Sequence, residues 1–315
     1  MKKIKKCPCC NSDKIEIKYS SLYDKSYFVD GNFSLYRCRN CKLEFLNPLP
    51  SEKELARYYP KDYYSFDNIS KLSISYHKIS AKYYSGSLLK LFLWPLKPLL
   101  YTYHVKRGKG KTLLEIGCGD GLKLKIYKKY GLNVYGLEPH GSILSEKEKR
   151  LGISRETIRN YKPEIKFDYI ILKEVLEHIP NQEEVLKKCH GWLNENGKLI
   201  ITLQNTNSLW KKIFKENWFG YDVPRHIYNY NAKNISFFLR KHGFKIEKIR
   251  IYDNPYMLTG SLKYYLISKA KNKKERKYQM FNSAFPKLIA TPISLFVSYL
   301  NLGSLMEIEA GKIKL

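Results

Sequence analysis

The sequence predicts an α/β fold preceded by a small cysteine-bearing module, and three observations predict it. An apolar strand, Thr112 to Ile116, runs into a turn with glycine at alternate positions, Gly117, Gly119 and Gly121, and a helical stretch follows from Leu122 to Tyr130. Further apolar strands recur at 133–138, 167–172 and 197–203, with a helical segment over 181–193 before the last. Strands alternating with helices are the pattern of an open sheet covered on its faces. The third observation stands apart from the sheet: Cys7-Pro-Cys-Cys10 and Cys38-Arg-Asn-Cys41 are two C-x-x-C pairs near the N-terminus.

Length and charge set the frame. The 315 residues exceed one average domain, so a main domain with an appendage is expected. A net charge of +28 attracts phosphate-rich partners or an anionic membrane surface when it is concentrated. Here the lysines are spread over the whole chain, with only short runs such as Lys271 to Lys277, which favours a compositional origin. A modest attraction for acidic substrates remains. The N-terminal lysines are not followed by an apolar core, so no secretory signal is expected. No run of 18 apolar residues occurs, so no spanning helix is expected.

Residues 1–50 read as a zinc ribbon. Each C-x-x-C pair can present two sulfurs to one tetrahedral ion, and four thiolates suit Zn²⁺. Cys9 interrupts the first knuckle, but only Cys7 and Cys10 have the two-residue spacing that matches Cys38 and Cys41. Between the pairs, 14–19 and 32–37 alternate like short strands. A closed Cys₄ site has no open coordination position, so the expected ion is structural and supplies the folding energy of a segment too short for its own core. With no secretion signal, disulfides are disfavoured.

Residues 51–104 read as a helical connector. Ser51 and Glu54 fit a capping box that opens a short helix to Tyr59. The stretch 87–101 is apolar but interrupted by Pro95 and Pro98. It is expected to pack on the main domain; the second reading is a surface-lying membrane contact with Trp94 at the headgroups.

The main domain is expected over 105–315. A glycine turn between strand and helix lets bare backbone approach a nucleotide-like ligand, and a side chain at any of the three glycines is expected to fill ligand space. Glu138 ends the next strand at the distance where such folds bind ribose hydroxyls. Glu115 is an acid at the end of an apolar strand. The third strand, between Gly152 and Tyr161, is weakly signalled, with Glu156 a weak candidate for the adenine side. Cys118 and Cys189 read as space-filling. Strand ends carry the substrate side in open α/β sheets, which points to Gln204–Asn207 and to the polar-aromatic segment 218–228 as a lid or pocket wall. There Trp218 and Tyr221 offer ring faces to a sugar or aromatic acceptor, and Arg225 offers a fork to a phosphate or carboxylate. His226 is the candidate base for an alcohol acceptor, and His178, after the 167–172 strand, is the second catalytic candidate, expected to shape the cofactor site. A helix over 231–243, a strand over 244–252, a helical insertion over 253–303 capping the pocket and a last strand at 304–310 complete the chain.

Taken in order, Glu115-Ile-Gly-Cys-Gly-Asp-Gly121, Gly136-Leu-Glu-Pro139, Phe167-Asp-Tyr-Ile170 with Glu174-Val-Leu-Glu-His178, and Asn196-Gly-Lys-Leu-Ile-Ile-Thr202 resemble the motifs of class I S-adenosylmethionine-dependent methyltransferases. A dehydrogenase turn has G-x-G-x-x-G, whereas this one is G-x-G-x-G. The resemblance implies a Rossmann-like seven-stranded sheet, with the last strand at 304–310 antiparallel, and S-adenosylmethionine as cofactor. It places Glu115, Gly117, Gly119, Gly121 and Glu138 around that cofactor, with the Leu172 and Lys173 backbone at its methionine end. An N-terminal zinc module before such a domain is similar to enzymes of bacterial sugar and polysaccharide biosynthesis. That implies O-methylation of a sugar, glycan or lipid-linked saccharide, in the cytoplasm or at the inner face of the membrane. The alternative is an RNA methyltransferase gripping its substrate with the ribbon, Arg37 and Arg39. Dispersed lysines and the absence of an Asn-Pro-Pro-Tyr-like motif place nucleic acid second.

Overall fold

The computed structural model describes residues 1–60, 78–80, 82–83, 88–97, 100, 110–139, 145–270, 280–281 and 283–313. The Tyr- and Ser-rich part of the connector and the basic run 271–277 lie outside the described residues.

The main sheet has seven strands. They are β4 (Thr112–Ile116), β5 (Asn133–Leu137), β6 (Ile153–Ser154), β7 (Phe167–Lys173), β8 (Leu193–Gln204), β10 (Phe244–Tyr252) and β11 (Leu305–Lys312), in the order β10-β11-β8-β7-β4-β5-β6. β4 through β8 run parallel, and β11 is antiparallel to both β8 and β10. From β4 the chain builds outward through β5 to β6, then returns to lay β7 on the other side of β4. The carboxyl ends of β4 and β7 therefore meet at Ile116 and Leu172, at the point where the strand order reverses. That crevice is where open α/β sheets take ligands. β6 is two residues long, which explains its faint sequence signal.

Alternate residues of each strand face opposite sides. Leu114, Ile116, Ile170, Leu172 and Ile201 enter one apolar cluster, while Leu113, Val134, Ile171 and Ile200 enter another. The helix Gln182–Trp192 contributes Val185, Leu186 and Cys189 to the first, so Cys189 is a core residue.

The N-terminal strands β1 (Ile15–Leu22), β2 (Phe33–Cys38) and β3 (Glu44–Leu46) form an antiparallel sheet whose fourth member is β9 (Tyr228–Asn229). The cysteine-bearing segment is thus stitched to a strand that follows β8. Its Cys7, Cys9, Cys38, Leu43 and Phe45 share one apolar cluster with Leu114 and Leu172. Core burial is continuous across residue 50.

Ser51 caps the helix Glu52–Ala56 with both halves of a capping box. Two helices, Pro255–Lys269 and Ala284–Tyr299, lie between β10 and β11. The second leaves Phe285, Leu288, Ile289, Ile293 and Phe296 exposed, and so do Leu88, Leu91, Phe92 and Trp94 of the 87–101 stretch. The two stretches touch, since Tyr299 OH donates to the Pro95 carbonyl (2.9 Å). Leu91, Phe92 and Trp94 are 62–82% exposed, so the expectation that these side chains pack on the main domain is corrected.

Candidate functional site

The glycine turn lies at the carboxyl end of β4. Gly117, Gly119 and Gly121 all have positive φ (+71°, +55° and +74°), a backbone that a side chain strains. Their surroundings differ. A Cβ on Gly117 would overlap the Val175 side chain, and one on Gly121 would press on Ile153 at 2.8 Å, whereas one on Gly119 would meet nothing within 4 Å among the described residues. The expectation that a side chain at any of the three would fill ligand space is therefore corrected for Gly117 and Gly121, where it would meet the protein instead. Packing demands Gly117 and Gly121, and Gly119 alone opens outward.

The Gly119 N–H donates to Glu138 Oε2 (3.0 Å), which ties the turn to the end of β5 and sets a carboxylate at the crevice. Glu115 is fully buried at the end of β4; one carboxylate oxygen pairs with Lys123 and the other, Oε2, has no partner among the described residues. Burial pushes its pKa up, and Lys123 opposes that rise. An open lip at Gly119, a carboxylate for ribose hydroxyls and an orphaned buried oxygen fit the cofactor the sequence implies. Leu172 has its side chain wholly in the core, so only its backbone is available at the strand end. Lys173 closes β7, and desolvation pulls its pKa down to about 8.

A second cluster sits on the turn after β7. Gly117 packs against Val175, so this turn adjoins the glycine turn. Leu176–His178 form one turn of 3₁₀ helix, and His226 arrives from the segment after β8. The His178 and His226 rings are 4.7 Å apart, edge to face. His226 Nδ1–H donates to the Gly220 carbonyl (2.8 Å), which leaves Nε2 as the lone-pair nitrogen. His178 Nδ1 lies 3.1 Å from the Arg225 carbonyl and 3.0 Å from Tyr59 OH. A ring nitrogen of each histidine and a Glu177 carboxylate oxygen lie within 4.8 Å of one another. Among the described residues neither Glu177 oxygen has a hydrogen-bond partner. Burial pushes His178 down to about 3, lowers His226 and pushes Glu177 up to about 8. Both histidines are thus neutral near pH 7, and each is a weaker base than a solvated imidazole.

The other expected substrate contacts are corrected. Arg225 is 0% exposed, and all five of its N–H donors are used. Nε donates to Asp222 (2.8 Å), Nη1 to Asp24 and to the Tyr58 carbonyl (both 3.1 Å), and Nη2 to Asp24 (2.8 Å) and Asp222 (2.7 Å). No donor remains for a substrate anion. Trp218 is buried, with its indole N–H on Ser304 Oγ (3.3 Å) and its ring edge-to-face with Tyr221. Tyr221 OH donates to Glu44 Oε2 (2.6 Å), and Glu44 is also paired with Lys18 and Lys211. The segment 218–228 is a buried belt that clamps the N-terminal sheet to the main domain, not a lid. Asp24 stands 201 positions before Arg225, and nothing in the sequence pattern joins them. Glu177 lies inside a motif that was legible, and its lack of a partner is visible only in three dimensions.

Cys7, Cys10, Cys38 and Cys41 converge, with all four sulfurs within 4.8 Å; Cys7 and Cys41 are 3.5 Å apart, and Cys10 and Cys38 3.6 Å. Cys9, outside that four-sulfur set, donates to the Asn234 carbonyl (3.5 Å). The four-sulfur set has the chemistry of a Zn²⁺ site. Arg39 is bonded to Glu16 (2.6 Å) and Arg37 faces Glu44 (4.0 Å), so both arginines of the second knuckle are turned to carboxylates of their own sheet.

With this geometry in place, comparisons with known proteins add the following. The model of a family described as "Methyltransferase domain" matches residues 90–249. A ubiquinone biosynthesis O-methyltransferase of Bradyrhizobium diazoefficiens is 29% identical over 109 residues, 32% of this chain and 42% of that protein. One of Coxiella burnetii is 31% identical over 108 residues, 31% of this chain and 46% of that protein. The chain thus spans less than half the length of the curated relatives it matches. Among solved structures, a SAM-dependent methyltransferase from Archaeoglobus fulgidus superposes with a TM-score of 0.44 at 20% identity, covering 75% of this chain and all of that one. The 1,6-didemethyltoxoflavin-N1-methyltransferase of Burkholderia thailandensis gives 0.47 at 12% identity over 91% and 99%.

Proposed function

The chain belongs to the methyltransferase-domain family, and from that premise we propose that it is an S-adenosylmethionine-dependent methyltransferase acting on an oxygen of a lipid-carried acceptor. The observation that carries methyl transfer is the Gly119–Glu138 closure at the point where the strand order reverses. S-adenosylmethionine, when bound, supplies a sulfonium-activated methyl group. The protein's part is to align and to exclude water. Glu138 accepts from the ribose hydroxyls, the bare Gly119 backbone lets the cofactor approach, and the Glu115 carboxylate and the Lys173 backbone flank its methionine end. The polar turn Glu177–His178 with His226 then faces the acceptor oxygen.

Oxygen is favoured because the curated relatives are named O-methyltransferases. A lipid-carried acceptor is favoured by the exposed apolar side chains of Leu88, Leu91, Phe92 and Trp94 and of Phe285, Leu288 and Phe296, on two stretches that touch at Pro95 and Tyr299. A lipid-linked saccharide of surface-polysaccharide synthesis is the specific acceptor retained from the sequence. The enzyme would work at the inner face of a membrane without spanning it. No helix among the described residues is long and apolar enough to cross. The cysteine cluster would hold a structural Zn²⁺. RNA is the second reading, and the engagement of Arg37 and Arg39 with acids weakens it.

Methyl-labelled cofactor offered with lipid-linked glycan, free polysaccharide and total RNA tests the acceptor. Label in the lipid-linked fraction is expected; label in RNA overturns the acceptor class. Flotation with phosphatidylglycerol vesicles is expected to carry the protein, and Phe285→Ser with Phe296→Ser to release it. Equal flotation of that variant removes the lipid-facing role of this surface.

A further inference from the structure

We propose that Glu177, His178 and His226 form a second metal site, distinct from the cysteine cluster, that takes one divalent first-row cation and presents it to acceptor oxygens. Two segments converge, the turn that carries Glu177 and His178 and the segment that carries His226. Glu177 is 1% exposed and neither carboxylate oxygen has a hydrogen-bond partner among the described residues, an arrangement that is costly unless a charge is supplied. Both imidazoles are held at Nδ1, His226 by the Gly220 carbonyl and His178 by the Arg225 carbonyl together with the Tyr59 hydroxyl. That is how a protein fixes the tautomer and orientation of a histidine ligand, leaving Nε2 for the ion. The three donor atoms lie within 4.8 Å of one another, a span that one ion can bridge.

Two imidazoles and one carboxylate suit Mn²⁺, Fe²⁺, Co²⁺ or Zn²⁺, and three protein ligands leave coordination positions open, as catalytic metal sites do. The cysteine cluster has no such opening. Arg225, which supplies one of the two carbonyls, is itself fixed by Asp24 and Asp222, so that buried network braces the site through the main chain.

The site's role in methyl transfer rests on the function proposed above; its occupancy by metal does not. An acceptor hydroxyl bound at an open position would release its proton to water. The oxygen lone pair would then form the O–CH₃ bond while the S–CH₃ bond breaks, its electron pair going to sulfur.

Purified protein with its cysteine site loaded is titrated with Co²⁺ alone, and bound metal is counted by elemental mass spectrometry. Thiolate-to-cobalt absorption reports only the cysteine site. The expected result is one further equivalent bound without added thiolate absorption. That equivalent should be weakened about 10-fold or more in Glu177→Gln and in His226→Gln, with cysteine-site metal unchanged. No second equivalent in the wild type overturns the proposal, and this count needs no variant to fold. A second equivalent retained at full affinity in both variants also overturns it. Titration with S-adenosylmethionine separates the two readings. Intact cofactor binding without a second metal leaves the methyltransferase standing and removes only the metal site.

Discussion

Replacing Arg225 with methionine should unfold the clamp between the two sheets without touching a ligand. The side chain is 0% exposed and makes four bonds to Asp24 and Asp222 and one to the Tyr58 carbonyl. Methionine preserves much of the volume but leaves two buried carboxylates facing each other. Breaking one side of a buried ion pair costs about 3–5 kcal/mol. At roughly 2 °C per kcal/mol for a chain of this size, the midpoint of thermal unfolding should fall by about 6–10 °C. The assay is thermal unfolding followed by circular dichroism at pH 7, with a cofactor titration alongside. A variant of wild-type stability whose acceptor KM alone rises would refute the reasoning and return Arg225 to the substrate. The network also has a pH signature. Burial alone would raise the Asp222 pKa, but the Arg225 guanidinium outweighs it and holds the carboxyl well below its ordinary 3.8. A group depressed in the folded state stabilises above its unfolded pKa and loses that contribution as pH falls further. Wild-type stability should therefore drop below about pH 4, and the Asp222→Asn variant should show a shallower drop.

Three other outcomes follow from the geometry. Gly119→Ala should cost the fold only about 1–2 kcal/mol, since it meets open space, yet weaken S-adenosylmethionine binding in calorimetry, whereas Gly117→Ala should destabilise the fold through Val175. Glu138→Gln should weaken the cofactor by about 2–10-fold, a hydrogen-bond-sized loss, with thermal stability nearly unchanged. Cys38→Ser should abolish binding of the Zn²⁺ proposed for the cysteine cluster and raise hydrogen exchange at β1, β2 and β3 and also at Tyr228–Asn229, because β9 belongs to the same sheet; protection kept at 228–229 would show that the pairing does not depend on a metal.

Much of the fold was legible because it is written locally. The strand–glycine–helix turn, Glu138 and the two knuckles each lie within a few residues of their partners or at a fixed spacing. The antiparallel last strand followed from family resemblance. What the sequence hid are the long-range polar contacts. Trp218, Tyr221 and Arg225 look like a substrate wall because aromatic and basic residues in a turn-rich stretch suit both a pocket and an interior belt. Their partners Ser304, Glu44 and Asp24 are scattered along the chain, and only folding reveals that every polar atom is already used. The glycines show the same limit. Spacing marks all three as special, but only the fold shows that a side chain at Gly117 or Gly121 would meet Val175 or Ile153. Glu177 was visible as a letter in a motif, while its two unbonded oxygens are a property of burial.

Calorimetric titration of the full chain with S-adenosylmethionine tests the central claim most directly. The account predicts saturable binding at one equivalent, weakened by Glu138→Gln and by Gly119→Ala and unaffected by Gln substitution at His226. No heat and no saturation with folded wild-type protein would contradict it, whatever the acceptor.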